Sequence, residues 1–178
     1  MKENYTSAVK LSLRLRMIAD QVPYGSRMAD IGSDHALLPV YLAQKGVVEH
    51  AIAGELNEGP FLAASKQVHQ AGLEHIISVR HGDGLSVIRA NEVDTIVIAG
   101  MGGSTMVSIL EHGLLSLSGV DRLIVQPNVG EFLLREWFIQ HNWFLQSEYM
   151  VEEDGLIYEI LVAVPIDSGE LKHRQSVL

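Results

Sequence analysis

The chain has 178 residues, 47% hydrophobic and 20% charged, which suits one water-soluble domain with a sizeable core. It contains no cysteine, so disulfides and thiolate metal sites are excluded and a reducing cytoplasm is the expected compartment. No apolar stretch is long enough to span a membrane, no export signal opens the chain, and a net charge of −9 argues against a generic nucleic-acid binder.

The charge is unevenly spread. Residues 1–27 hold Lys2, Lys10, Arg14, Arg16 and Arg27 against Glu3 and Asp20, so the basic groups gather at one end. Within that segment Leu11, Leu15, Ile18 and Val22 recur at helical spacing, with Lys10 and Arg14 on a neighbouring face. The Leu11–Leu15 stretch also alternates like a strand, but the absence of turn signals favours a basic amphipathic helix over 1–27.

From Met28 onward, strand-like and helix-like segments alternate. Met28–Gly32, Ala51–Glu55, Ile77–Arg80, Thr95–Ala99 and Leu123–Val125 are short, apolar on both faces and rich in β-branched residues, as buried parallel strands are. Pro39 is tolerable only in the first turn of the helix running to Gly46. Pro60 suits the first position of the next helix, which Gly72 closes, and Ser104 or Thr105 suits the cap of the helix carrying Met106 and Leu110. Trp143–Met150 and Leu156–Val164 are joined by Val151–Gly155 alone, too short for a crossover, so these strands must be antiparallel. The pattern predicts an α/β fold, a doubly wound, mostly parallel seven-stranded sheet with one antiparallel strand near the C-terminal edge. The domain spans 28–165, and the polar residues 166–178 read as a frayed tail.

Ligands of such sheets bind beyond the carboxyl ends of the strands, which selects a short set of residues. After the first strand come Asp30, Gly32, Ser33, Asp34 and His35, where a dinucleotide site would carry further glycines. Carboxylates there repel a pyrophosphate but favour the cationic methionine head of S-adenosylmethionine, whose carboxylate the loop amides can receive. Glu55, followed by Leu56, stands where an acid accepts from ribose hydroxyls, and Asp83-Gly84 suits an adenine amine, although an Asx-turn explains Asp83 alone equally well. Gly100, Met101 and Gly102 follow the fourth strand, and Gln126-Pro127-Asn128 the fifth. Asp34-His35 with His81-x-Asp83 raises a metal site, but spacing across two loops shows no convergence, so no metal is expected. His35 can cap, stack or pack. Glu152-Glu153-Asp154 is most simply a solvated turn, and Trp137, Phe138 and Trp143 are core residues.

The stretches "MADIGSDHALLP", "AIAGELNEGPF", "HGDGL", "IAGMGG", "LIVQPN" and "EEDGLIYEILVA" together resemble the bacterial tRNA adenine(22)-N1-methyltransferase family, class I S-adenosylmethionine-dependent enzymes. The resemblance runs from about Lys10 to Val164. It implies methylation of N1 of an adenine in the tRNA D-loop, with S-adenosylhomocysteine as the second product. By this likeness Asp30, Gly32, Glu55, Asp83, Gly100, Met101 and Gly102 bind the cofactor, and from their places in the same loops Ser33, His35, Leu56 and Gly84 are expected to join them. Asp34 and Asn128 then serve the target base, and Lys10, Arg14, Arg16 and Arg27 contact RNA phosphates. Family members usually continue into a C-terminal coiled-coil-like domain; this sequence stops before it, as a truncated chain or a member without that domain would. An NAD-linked oxidoreductase on a similar sheet, or a cofactor-binding module without catalysis, are the competing expectations.

Overall fold

In the computed structural model, residues 8–166 are described; Lys2, Glu3 and the tail from residue 167 lie outside them. The chain runs α1 (Leu13–Ala19), β1 (Ser26–Ile31), α2 (Leu37–Gln44), β2 (Val48–Glu55), α3 (Glu58–Ala71) and β3 (Ile77–His81). Then follow β4 (Thr95–Met101), α4 (Gly103–His112), β5 (Arg122–Pro127), α5 (Glu131–Gln140), β6 (Trp143–Glu153) and β7 (Leu156–Pro165). The seven strands order as β3-β2-β1-β4-β5-β7-β6. All neighbours from β3 to β5 pair in parallel, and β7 runs antiparallel to both β5 and β6, so it is the single reversed strand.

The apolar strands follow from a sheet covered twice. Successive side chains alternate faces, so Met28, Ala51, Val97 and Ile124 join a core beneath α1, α2 and α3. Their neighbours Ala29, Ile52, Ile96 and Val125 join a second core beneath α4 and α5, which includes Trp137, Phe138 and Trp143 as expected. Gly72 closes α3 in the left-handed conformation, and Pro39 sits in the first turn of α2.

Several local expectations need correction. The first helix is only seven residues long, Leu13–Ala19, because Ser12 caps it by accepting from Leu15 N at 3.3 Å. Pro60 is the third residue of α3, behind Asn57 as cap, where its missing N–H is still no loss. Neither Ser104 nor Thr105 caps α4; Gly102 holds that position and the helix starts at Gly103. The link between β6 and β7 shrinks to Asp154-Gly155, both at positive φ (53° and 77°), the tight turn whose twist matches that of the flanking strands.

Candidate functional site

A cleft of about 400 Å³ opens over the carboxyl ends of the strands beside β1 and β4, where the chain's winding direction reverses. Ile31, Leu56, Met101 and Ile109 give it apolar walls, and Asp83 stands at one side. Its floor needs bare backbone. A Cβ on Gly32 would collide with the Met101 methyl, and one on Gly54 or Gly82 would come 2.8 or 2.9 Å from Val87. Gly32 also sits at φ 72°, which a side chain resists. Gly84 lines the cleft, whereas Gly100 and Gly102 lie in the turn behind Met101.

Beside Gly32 lies a shelf of carboxylates, which the structure links by hydrogen bonds rather than by cleft exposure. Asp30 is buried and accepts from the Ser33 hydroxyl at 2.7 Å. Burial pushes its carboxyl up to about 7; Glu55 and Asp34 add repulsion and the Ser33 bond opposes them. Glu55, also buried, accepts from the backbone N–H of Asp34, and its pKa too is raised, chiefly by desolvation. The loop pays for this arrangement in backbone strain: Asp34, His35 and Ala36 occupy φ 43°, 62° and 53° in succession. That turn throws the Asp34 side chain outward, 83% exposed, with His35 Nε2 at 3.5 Å from its carboxylate.

Opposite the shelf, the loops after β4 and β5 are tied by Asn128, whose N–H donates to Met101 O at 2.8 Å and whose Nδ2 donates to Gly100 O at 3.0 Å. Fully buried Gln126 donates to Asn128 Oδ1 at 3.3 Å and accepts from Arg14 Nη1. Arg14 therefore points into the molecule rather than out toward phosphates. Glu153 is no solvated turn residue either: it accepts from Arg14 N at 2.9 Å, and contacts to Arg14, Ser12 and Leu13 hold its carboxyl below the usual range despite some desolvation. Sequence reasoning placed Gln126 on the ligand side without giving it a role, and missed Glu153. For Gln126 the available signal was a polar residue closing the otherwise apolar run "LIVQP".

The other expected cations separate. Lys10 and Arg16 are exposed on the α1 side, and Arg16 lies over the Tyr41 ring at 5.1 Å, with Lys45 against the same ring at 5.9 Å. Arg27 belongs to the start of β1, at the far end of the sheet from the cleft, and pairs with Asp94 at 3.6 Å. His81 is occupied by Leu56 O at 2.8 Å and stacks on Phe61. Among the described residues no group of three or more His, Asp or Glu side chains could hold a metal, and no helix is long and apolar enough to cross a membrane.

Residues 11–161 match the family described as Methyltransferase domain. The tRNA (adenine(22)-N(1))-methyltransferase of Bacillus subtilis (strain 168) is 51% identical over 155 residues, covering 87% of this chain and 65% of the relative, so the chain spans just under two thirds of that protein. The crystal structure of the B. subtilis M1A22 tRNA methyltransferase TrmK superposes with a TM-score of 0.87 at 50% identity, over 89% of this chain and 68% of that one. Streptococcus pneumoniae Sp1610, solved in complex with S-adenosyl-L-methionine, gives a TM-score of 0.86 at 41% identity, over 92% of this chain and 78% of that one. These likenesses favour the methyltransferase expectation over the oxidoreductase one. The chain belongs to the methyltransferase-domain family, in the group of the tRNA (adenine(22)-N1)-methyltransferases.

Proposed function

We propose that the chain methylates N1 of an adenine at position 22, in the D-loop of tRNA, using S-adenosylmethionine. The observation that carries this is the buried carboxylate shelf beside a glycine-floored cleft. Asp30 and Glu55 both hold raised pKa values, which a cationic ligand beside them would lower and a pyrophosphate would raise further. The residues present therefore fit S-adenosylmethionine, which when bound supplies an electrophilic methyl group on a sulfonium. Gly32, Gly54 and Gly82 admit it by leaving the floor bare, Glu55 serves ribose hydroxyls, and Asp83 serves an exocyclic amine.

Adenine N1 has an in-plane lone pair and is unprotonated at neutral pH, so no strong base is required. The residues around it must align the ring and keep it out of any stack or pair. Methylation leaves the ring cationic. The exposed Asp34 carboxylate, next to the cofactor shelf, stabilises that charge beside N6 or takes the N6 proton. Asn128, exposed at the end of β5, holds the base from the opposite side. Lys10 and Arg16 supply phosphate contacts on the α1 face, and a tRNA substrate puts the protein in the cytoplasm.

The test is transfer of labelled methyl from S-adenosylmethionine to bulk tRNA, followed by nuclease digestion and mass mapping. The expected product is 1-methyladenosine at position 22. Label on another nucleoside, or none on tRNA, would overturn the assignment.

A further inference from the structure

An arginine side chain offers only N–H groups, so any polar atom facing it must accept. The Nη1 of Arg14 meets Oε1 of Gln126, and that contact decides which way round the buried amide sits. With Oε1 committed, Nε2 of Gln126 donates to Pro127 O at 3.0 Å and to Asn128 Oδ1 at 3.3 Å. Asn128 is fixed in turn, with Oδ1 toward Gln126 and Nδ2 on Gly100 O. One Oδ1 lone pair and one Nδ2 proton of this exposed amide remain for a ligand, in a set order.

Arg14 is itself held firmly. Its N–H bonds Glu153, its guanidinium lies 5.3 Å from the centre of the Tyr158 ring, and its side chain is only 22% exposed. Nε is buried without a hydrogen bond, 3.7 Å from Glu153 Oε2. With its guanidinium engaged by Gln126, Glu153 and the Tyr158 ring, Arg14 is poorly placed to reach phosphates, and its donor-only character is the property the site uses.

We propose that Arg14 is a positioning residue: through Gln126 it sets the orientation of the Asn128 amide, so that Asn128 presents its acceptor to the N6 amine of the target adenine. This rests on Asn128 facing the base, as proposed above. Pro127 O and Gly100 O also hold these amides, so losing Arg14 removes the charged contact that reinforces their order, and the acceptor is kept less firmly toward an amine.

Three variants test it. Arg14→Met removes the donors, Arg14→Lys keeps a donor-only cation, and Gln126→Glu keeps an acceptor for Arg14 while removing the donor to Asn128. Melting temperatures identify any variant that fails to fold. For Arg14→Met and Gln126→Glu, kcat on tRNA should fall about tenfold or more while KM for tRNA stays within about threefold, with Arg14→Lys partly rescued. A phosphate contact would instead raise KM and flatten its salt dependence. Replacing the target adenine by purine, which lacks the N6 amine, should cost wild type about tenfold and Arg14→Met much less, since the two losses share one interaction. An undiminished preference for adenine in both variants would overturn the proposal. If wild-type protein methylates no tRNA, the functional assignment fails by itself; the relay is still read in the ¹⁵N spectrum. The side-chain amide protons of fully buried Gln126 should be slow to exchange in wild type and in Arg14→Lys, and faster in Arg14→Met. Identical amide signals in wild type and Arg14→Met would refute it.

Discussion

Asp30 is a carboxyl group in surroundings that resist its charge. Its folded pKa of about 7 stands above the ordinary 3.8, so between those values the folded chain holds a proton that the unfolded chain releases. The resulting stability is fully present below 3.8 and lost as pH rises through 7. Asp30→Asn should remove this decline, and urea unfolding at pH 5 and pH 8 measures it; a mutant declining as steeply as wild type would show that another group is responsible. Glu55 and Asp34 make a contrasting pair, one buried and bonded to the loop, the other exposed at the mouth. Glu55→Ala should weaken S-adenosylmethionine binding by about tenfold or more in calorimetry, since it removes the ribose acceptor and frees the Asp34 amide together. Asp34→Ala should leave that affinity within about threefold while methyl transfer falls about a hundredfold. Normal turnover in Asp34→Ala would exclude it from the chemistry.

Among the elements, α1 is the one least able to stand alone. Seven residues are too few for an isolated helix in water, so its order depends on docking. Glu153, from the end of β6, supplies a carboxylate at its N-terminus, where the helix dipole and free N–H groups favour negative charge. Because its folded pKa is lowered, this anchoring is present above the ordinary glutamate value of 4.5 and lost as pH falls through the lower folded value. Glu153→Gln should therefore speed amide exchange in Leu13–Ala19 at neutral pH, with β1 to β4 unaffected; unchanged exchange in that helix would mean packing alone holds it. The strands were legible in the sequence because a doubly covered sheet demands apolar residues on both faces, and Met28 with Ala29 or Val97 with Ile98 satisfy that locally. The hairpin was legible because too few residues separate its strands for any crossover. Helix ends were less so: the caps at Asn57 and Gly102 depend on how the preceding strand delivers the chain, which no local pattern encodes.

At the scale of the molecule, the net charge of −9 coexists with a small cationic face formed by Lys10, Arg16 and Lys45. If RNA lies there, the Lys10→Ala, Arg16→Ala double variant should reduce the slope of log affinity against log salt by about one or two. An unchanged slope in a filter-binding titration would direct attention to other surfaces. Arg27 should contribute nothing to that slope, being paired with Asp94 at the opposite end of the sheet. The stretches expected to form the cofactor side, such as "DIGSD" and "HGDG", were legible because each is contiguous in the chain. Asp34 and Asn128 were legible as base-side candidates too, but the network behind Asn128 was not, because Arg14 meets Gln126 across 112 positions and Glu153 across 139, pairings with no periodicity to betray them.

That last separation has a consequence for how the protein is made. The strands and loops of the cleft, from Gly32 to Met101, are all synthesised before β6 begins. Arg14, although synthesised before all of them, must wait for Glu153. At typical bacterial elongation rates that delay is roughly 10 s. A nascent chain can thus assemble the glycine-floored cleft while α1 is still without an anchor, and the side around Asn128 matures only when the β6–β7 hairpin emerges.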